Sequence, residues 1–270
     1  MYACDFEYDG QCLSDYGFVI CNLGGTSDFD IVSAGSKITF NTISRHKGKK
    51  YSLTGTQYDE CITATFDICK NPEFYNDLHI TNDEYRDIMR WLNRREFLKF
   101  QLLNEDNKDN EPCYYEASFN IDKVMINKVL YGLELTMETN SPFGYGLEQS
   151  VTWDITDVSK IYKLNDMSDE IGYTYPSMKI TCKDEGDLHI YNEATNCTTI
   201  IKNCGNGEVI TIDGTTQIIT TSSNTHHIYN DFNFEFFKIT NTINNRINNI
   251  TISIPCQLEI RYTPIIKGSL

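Results

Sequence analysis

Residues 51–103 read YSLTGTQYDECITATFDICKNPEFYNDLHITNDEYRDIMRWLNRREFLKFQLL. The stretch holds an alternating strand, a proline stop, one capped helix and a second apolar strand. Between Cys61 and Cys69, Ile62, Ala64, Phe66 and Ile68 fall on one face, and Thr63, Thr65 and Asp67 on the other. That is the period of a half-buried strand. Asn71-Pro72 ends it, because proline donates nothing to a ladder. Thr81 and Glu84 are spaced as a capping box, each side chain reaching the other's backbone amide, which predicts a helix over 81–95. Tyr85, Ile88, Met89 and Leu92 follow at i, i+3, i+4 and i+7 and form one apolar stripe. Asp83, Glu84 and Asp87 sit near the positive end of the helix dipole, and Arg90, Arg94 and Arg95 near the negative end. Trp91 lies beside the stripe. There it either flanks the core or, if exposed, marks a protein contact together with Arg90 and Arg94.

Outward from this helix the chain reads as strands and turns. Before it, FEYDGQCLSDYGFVICNL (6–23) carries turn chemistry at Asp9-Gly10 and again at Ser14–Gly17, with a short strand at Phe18–Cys21. Lys37–Ile43 and Tyr51–Leu53 flank SRHKGKK (44–50), in which five of seven residues are basic or histidine. This reads as a hairpin tip, either simply solvated or meeting an acidic neighbouring surface, so Arg45, Lys47, Lys49 and Lys50 are candidate contacts. After the helix, Phe97–Leu103, Tyr114–Ile121 and Val129–Glu138 read as strands. In the last, Tyr131, Leu133, Leu135 and Met137 share a face. SPFGYGLEQ (141–149) marks a boundary between a domain at 1–145 and a second at 146–270. The second reads as all β, with alternating runs at Met178–Cys182, Leu188–Ile190, Ile210–Ile212, Phe232–Phe236 and Ile250–Ile254. Turn clusters separate them, the spacing of a β-sandwich or jelly roll.

Composition bounds the function. The 270 residues are 40% hydrophobic and 23% charged, as in ordinary soluble domains, with a net charge of −15 spread along the chain. That balance argues against specific nucleic-acid binding, which needs clustered Lys and Arg. The start MYACDFEYDG lacks the basic and apolar regions of a signal peptide, and no run approaches a membrane span. Ten cysteines occur without a CxxC pair, so they read as reduced, mostly buried thiols of a protein made in a cytoplasm. No metal site and no cofactor is expected. Gly144-Tyr145-Gly146 lacks the third glycine and the βαβ context of a nucleotide site and reads as a turn. No Walker loop, HExxH or GxSxG is present. His226-His227 reads as part of a polar loop. A glycosidase needs a positioned carboxylate pair, and nothing selects one. A sugar platform would have to use Tyr229, Phe232 or Phe237, which read better as core and edge residues of strands. The chain is therefore expected to be no enzyme.

Three blocks, FEYDGQCLSDYGFVIC (6–21), YSLTGTQYDECITATFDICKNP (51–72) and EYRDIMRWLNRREFLKFQ (84–101), resemble the distal tail protein (Dit) family of long-tailed phages and phage-derived tail particles. LHIYNEATNCTTIIKNCGNGEVITIDG (188–214) and YNDFNFEFFKITNTINNRINNITISIPCQLEIRYTP (229–264) resemble the C-terminal domain of the same family, so the likeness spans nearly the whole chain. It implies a mainly β fold: an N-terminal belt domain with one helix, then a galectin-like or carbohydrate-binding-module-like sandwich. It also implies a virion role, as a hexameric ring at the distal tail end, assembled in the host cytoplasm. The implied partners are other copies of the chain, the tail tube protein, the tail-tip hub and receptor-binding proteins, with DNA passing through the ring and no membrane involved. The chain has no room for an inserted wall-binding module, which favours a plain adaptor. The alternative expectation is a module that binds cell-wall glycan in host recognition.

Overall fold

The computed structural model describes residues 4–23, 38–45, 50–58, 61–103 and 113–267. Backbone contacts divide the chain into two units, residues 1–146 with 266–270, and residues 147–265.

The first unit runs β1 (Asp5–Tyr8), β2 (Gln11–Cys12), β3 (Phe18–Cys21), β4 (Ile38–Arg45), β5 (Lys50–Tyr58), β6 (Thr63–Lys70), α1 (Asn82–Leu92), β7 (Leu98–Leu103), β8 (Tyr115–Ile126) and β9 (Val129–Thr139). Seven strands make one antiparallel sheet in the order β2-β1-β7-β8-β9-β6-β3. Asp9 and Gly10, both at positive φ, make the two-residue turn from β1 to β2. A 3₁₀ turn, Leu13–Tyr16, ends at Gly17, where φ is +77° and an added methyl would strike the Tyr75 ring. The sheet curls until its far edge meets its beginning: the Ile20 amide in β3 donates to the Cys4 carbonyl just before β1, at 3.0 Å. Curling turns one face of every strand into an interior. Phe6, Phe66, Phe100 and Phe119, from β1, β6, β7 and β8, fill it with ring centroids 5.4–6.3 Å apart. Such pairs add about 0.5–1.5 kcal/mol each beyond the area they bury.

Helix α1 caps this interior. Its start is the expected capping box: Thr81 N donates to Glu84 Oε2 at 2.7 Å, and Glu84 N to Thr81 Oγ1 at 3.3 Å. Glu84 also pairs with Lys70, which is almost fully buried, at 2.8 Å. Ile88 and Leu92 are fully buried, while Tyr85 and Met89 are half-buried on the same stripe. The helix stops at Leu92 rather than Arg95, because Asn93 turns out of helical geometry and its side chain donates to the Phe119 carbonyl at 2.9 Å. Arg94 and Arg95 thus lie past the helix.

Among the described residues, strands β4 and β5 pair only with each other. They form a hairpin outside the seven-stranded sheet, rooted by Tyr58, whose ring meets Phe143 edge-on at 4.6 Å.

The second unit has two antiparallel sheets around one core. A five-stranded sheet takes 149–155, 256–262, 177–182, 209–212 and 219–221 in that order, and a four-stranded sheet takes 162–165, 247–252, 186–192 and 197–204. Their inward positions are mostly isoleucine and leucine, among them Ile155, Ile180, Leu188, Ile190, Ile201, Ile210, Ile250 and Leu258. The chain is therefore mainly β, with one substantial helix. One alternating run does not form a strand: past an isolated bridge at Phe232, residues 233–238 are a loop, and Phe232 and Phe237 turn into the core. The cysteines also depart from expectation. Only Cys182, Cys204 and Cys256 are buried; Cys4 and Cys61 are exposed and the other five are half-buried.

Candidate oligomer and partner interfaces

Hairpin β4–β5 is amphipathic. Across its register Ile38 faces Tyr58, Phe40 faces Thr56, Thr42 faces Leu53 and Ser44 faces Tyr51, with one bulge beside Asn41. These pairs share one face of the ribbon, since side chains alternate sides along a strand. On that face Ile38, Phe40, Tyr51 and Leu53 are 45%, 61%, 66% and 58% exposed. The other face carries Thr39, Asn41, Ser52, Gln57 and Lys50, with Ile43 its one large apolar residue. An isolated two-stranded ribbon is marginally stable in water, and an unpaired strand edge is a template for another chain. The expected contacts at its tip divide as follows. Lys50 opens β5 and is exposed, and Arg45 closes β4. Lys47 and Lys49 lie outside the described residues. Reading the tip for charge passed over the apolar face; its signal was the alternation of Ile38 and Phe40, which taken alone also fits a core-facing strand.

The structure brings Arg90, Trp91 and Arg94 together at a groove of about 310 Å³, shared with Gln11, Tyr16 and Asp87. Trp91 is 4% exposed. Its ring stacks between Tyr16, at 4.5 Å, and Phe6, at 5.6 Å, and its Nε1 donates to the Tyr8 carbonyl at 3.0 Å. Of the two readings left open for Trp91, its burial fits a flank of the core, and it lines the groove only by its edge. The missing signal was the 3₁₀ turn that carries Tyr16 over the ring. Arg90 reaches Asp87 at 3.3 Å, and Arg94 lies 4.0 Å from Asp9. Both pairs are solvent-exposed and worth little to stability. Burial raises the Tyr16 hydroxyl pKa above its usual value, with Asp87 and Asp15 adding to the shift, so the phenol stays neutral.

In the second unit the outer face of the five-stranded sheet carries a hollow of about 580 Å³. Thr152, Glu259, Lys179, Thr211 and Thr220 cross that sheet as one row of directly paired residues. None of the residues lining the hollow is aromatic. Trp153 packs on the opposite side, against Tyr162 and the core.

The histidine pair is more ordered than a polar loop. The His226 side chain is 4% exposed, with Nδ1 2.6 Å from Glu208 Oε1 and Nε2 3.4 Å from Asp231 Oδ2. Thr221 and the Gly205 amide also donate to Glu208. Burial opposes ionisation of Glu208, but these donors and His226 outweigh it and hold its pKa below the usual value. Nδ1 is hydrogen-bonded to Glu208, whereas buried Nε2 lies near Asp231 without making a hydrogen bond. His227 is exposed. Among the described residues, no group of three or more His, Cys, Asp or Glu is placed to hold a metal ion, and no helix is long and apolar enough to cross a membrane.

Two family models match this chain end to end. Residues 1–141 match a phage tail protein N-terminal domain, and residues 143–262 a phage tail C-terminal domain. The chain belongs to this family of phage tail proteins. A curated relative, the SPbeta prophage-derived uncharacterized protein YomH of Bacillus subtilis (strain 168), is 26% identical over 194 residues, which are 70% of this chain and 72% of that protein. Among solved structures, the SPP1 Dit (gp 19.1) protein, described as a paradigm of the hub adsorption apparatus in phages infecting Gram-positive hosts, matches with a TM-score of 0.66 and 12% identity. The match covers 96% of this chain and 98% of that one. The phage tail protein thus shares the Dit fold.

Proposed function

We propose that this phage tail protein is a structural adaptor that forms a closed hexameric ring at the distal end of the tail, joining the tail tube to the tail-tip hub. Residues 1–145 are the ring-forming belt, and residues 146–270 are a galectin-like sandwich borne on it. The protein is assembled in the host cytoplasm, performs no catalysis, and meets receptor-binding proteins only as their scaffold. The observation that carries this reading is the exposed apolar face of hairpin β4–β5. A closed ring needs two different complementary surfaces on each subunit, and a ribbon that leaves four large apolar side chains in water supplies one. The groove at Arg90 and Arg94 is the candidate for the other, and Arg45, Lys47, Lys49 and Lys50 would bring positive charge to an acidic neighbour. An acidic lumen would let DNA pass without adhering.

Multi-angle light scattering tests the reading, on the protein alone and mixed with the tube and hub proteins of the same tail. The expected species is a hexamer. The double variant Phe40→Ser, Leu53→Ser is expected to stay monomeric. Wild-type protein that remains a monomer alone and with each partner would sink the ring.

A further inference from the structure

The segment Tyr229–Phe237, the end of a short helical turn (Ile228–Asp231) and the loop after it, is built as a rigid mount for one aromatic ring. Phe234 is 62% exposed at a backbone φ of +58°. That left-handed conformation suits glycine or asparagine, and a bulky side chain pays a steric penalty there. Burial does not compensate, because most of the ring stays in water; it lies 5.4 Å from the Phe232 ring. The loop cannot relax easily. The Asn233 side chain imitates a strand partner for the edge strand 197–204: its Oδ1 accepts from Ile200 N at 3.1 Å and from Glu235 N at 3.2 Å, and its Nδ2 donates to the Thr198 carbonyl at 2.8 Å. Phe232 and Phe237 anchor both ends in the core, and Asp231 accepts from the Asn203 side-chain amide at 3.0 Å.

We propose that this loop is a protein-docking element, in which Phe234 enters an apolar socket rimmed by Lys or Arg on another component of the tail. Strained backbone held rigid by its surroundings, with an exposed aromatic at its crest, is the signature of a recognition site. A protein fits better than a sugar. Sugar sites pair a ring with free hydrogen-bonding groups, but beside Phe234 the Asn233 amide is spent on backbone, one Asp231 oxygen accepts from Asn203, and Glu235 accepts from the Cys197 thiol at 3.7 Å. The charges within the loop are the carboxylates of Asp231 and Glu235. The nearest following cation, Lys238, lies over the Tyr173 ring at 4.9 Å. A basic rim is the complement.

The proposal rests on the chain's place in a tail, and not on the ring. The test uses the full chain in two forms, as purified protein and within tail particles made by the producing bacterium. Phe234→Asn tolerates the backbone and removes the ring. It is expected to melt no lower than wild type and to keep the wild-type solution mass, yet to cut the yield of intact particles at least about tenfold, the loss of a hot-spot anchor. A photo-reactive benzoylphenylalanine at position 234 in assembled particles is expected to cross-link one other tail protein, at an apolar segment flanked by Lys or Arg. Particle yield equal to wild type, cross-links confined to this chain or to polysaccharide, or a clearly lowered melting temperature for Phe234→Asn would each overturn the proposal. A wild-type chain that is monomeric in solution would end the ring reading while leaving the cross-link to decide this one.

Discussion

The two units bury their apolar residues in different ways. The second folds around one core of its own. Its two larger sheets close on a core of isoleucine and leucine, and a buried asparagine pair links strands inside it: Asn192 donates to Asn248 Oδ1 at 2.9 Å, and Asn248 donates to the Thr240 carbonyl at 3.0 Å. The first unit divides its apolar side chains between two fates. The curled sheet and α1 draw Phe6, Phe66, Phe100, Phe119 and Trp91 inward. Hairpin β4–β5, in the same unit, turns Ile38, Phe40, Tyr51 and Leu53 outward. Alternating sequence builds both, so alternation alone does not decide which way a face points. Whether the strand can reach the sheet decides it, and among the described residues β4 and β5 pair only with one another. The difference teaches where the molecule is unfinished: the hairpin face costs solvation that the lone chain does not recover, whereas the inward face is the reason the unit folds.

The largest test of this contrast falls on the inward side. Ile88 is fully buried at the contact of α1 with the sheet. Ile88→Asp would place an unpaired carboxylate there and is expected to cost at least about 4 kcal/mol, enough to unfold the first unit. Calorimetry should then show the second unit melting by itself. A wild-type melt for this variant would mean that the helix stripe is not the core of the unit.

A smaller effect separates the units by pH. The Glu208 carboxyl is held below its ordinary value of 4.5 by Thr221, the Gly205 amide and His226, against the opposing effect of burial. A depressed folded-state pKa means that the unfolded chain takes up the proton first as pH falls. The stabilisation is therefore full above the unfolded value and is lost through the range below it. Glu208→Gln is expected to cost about 1–2 kcal/mol near neutrality, and the gap to wild type should close on acidification below about pH 4. Urea titrations of both proteins across that range check it. A gap that stays constant or widens on acidification would show that Glu208 does not act through its charge.

How much of this was legible in the sequence follows from the range of the interactions. The capping box, the helix stripe, the turn at Asp9-Gly10, the alternation in β6 and that from Leu133 to Met137 in β9 are local and appear where the spacing puts them, whereas Tyr131 falls at a bulge and Leu130 is buried in its place. The closure of the sheet is not local: nothing near Cys4 or Ile20 announces that the two will bond. Trp91 sits off the stripe by helical arithmetic, yet it is buried because Tyr16, 75 positions earlier, folds over it. Phe232–Phe236 alternates like a strand, but Asn233 satisfies the neighbouring edge with its side chain and leaves Phe234 at positive φ. His226 finds Glu208 across 18 positions with no pattern to predict it. Each failure is a case of tertiary contact overriding a local period.

The smallest expected effect bears most directly on the comparison. Phe40→Ser and Leu53→Ser remove large apolar groups, changes that inside a core would cost about 2–5 kcal/mol each. On the exposed face of β4–β5 they remove little buried area from the lone chain. The melting of the monomeric double variant is therefore expected to lie within about 0.5 kcal/mol of a wild-type monomer measured at high dilution. Relief of exposed apolar surface should also make the variant more soluble. If it instead melts as a core mutant does, the hairpin face is packed against its own unit in solution, and the distinction between inward and outward apolar surfaces collapses. If it melts unchanged and no longer assembles, the same side chains that contribute nothing to the fold of one copy hold two copies together.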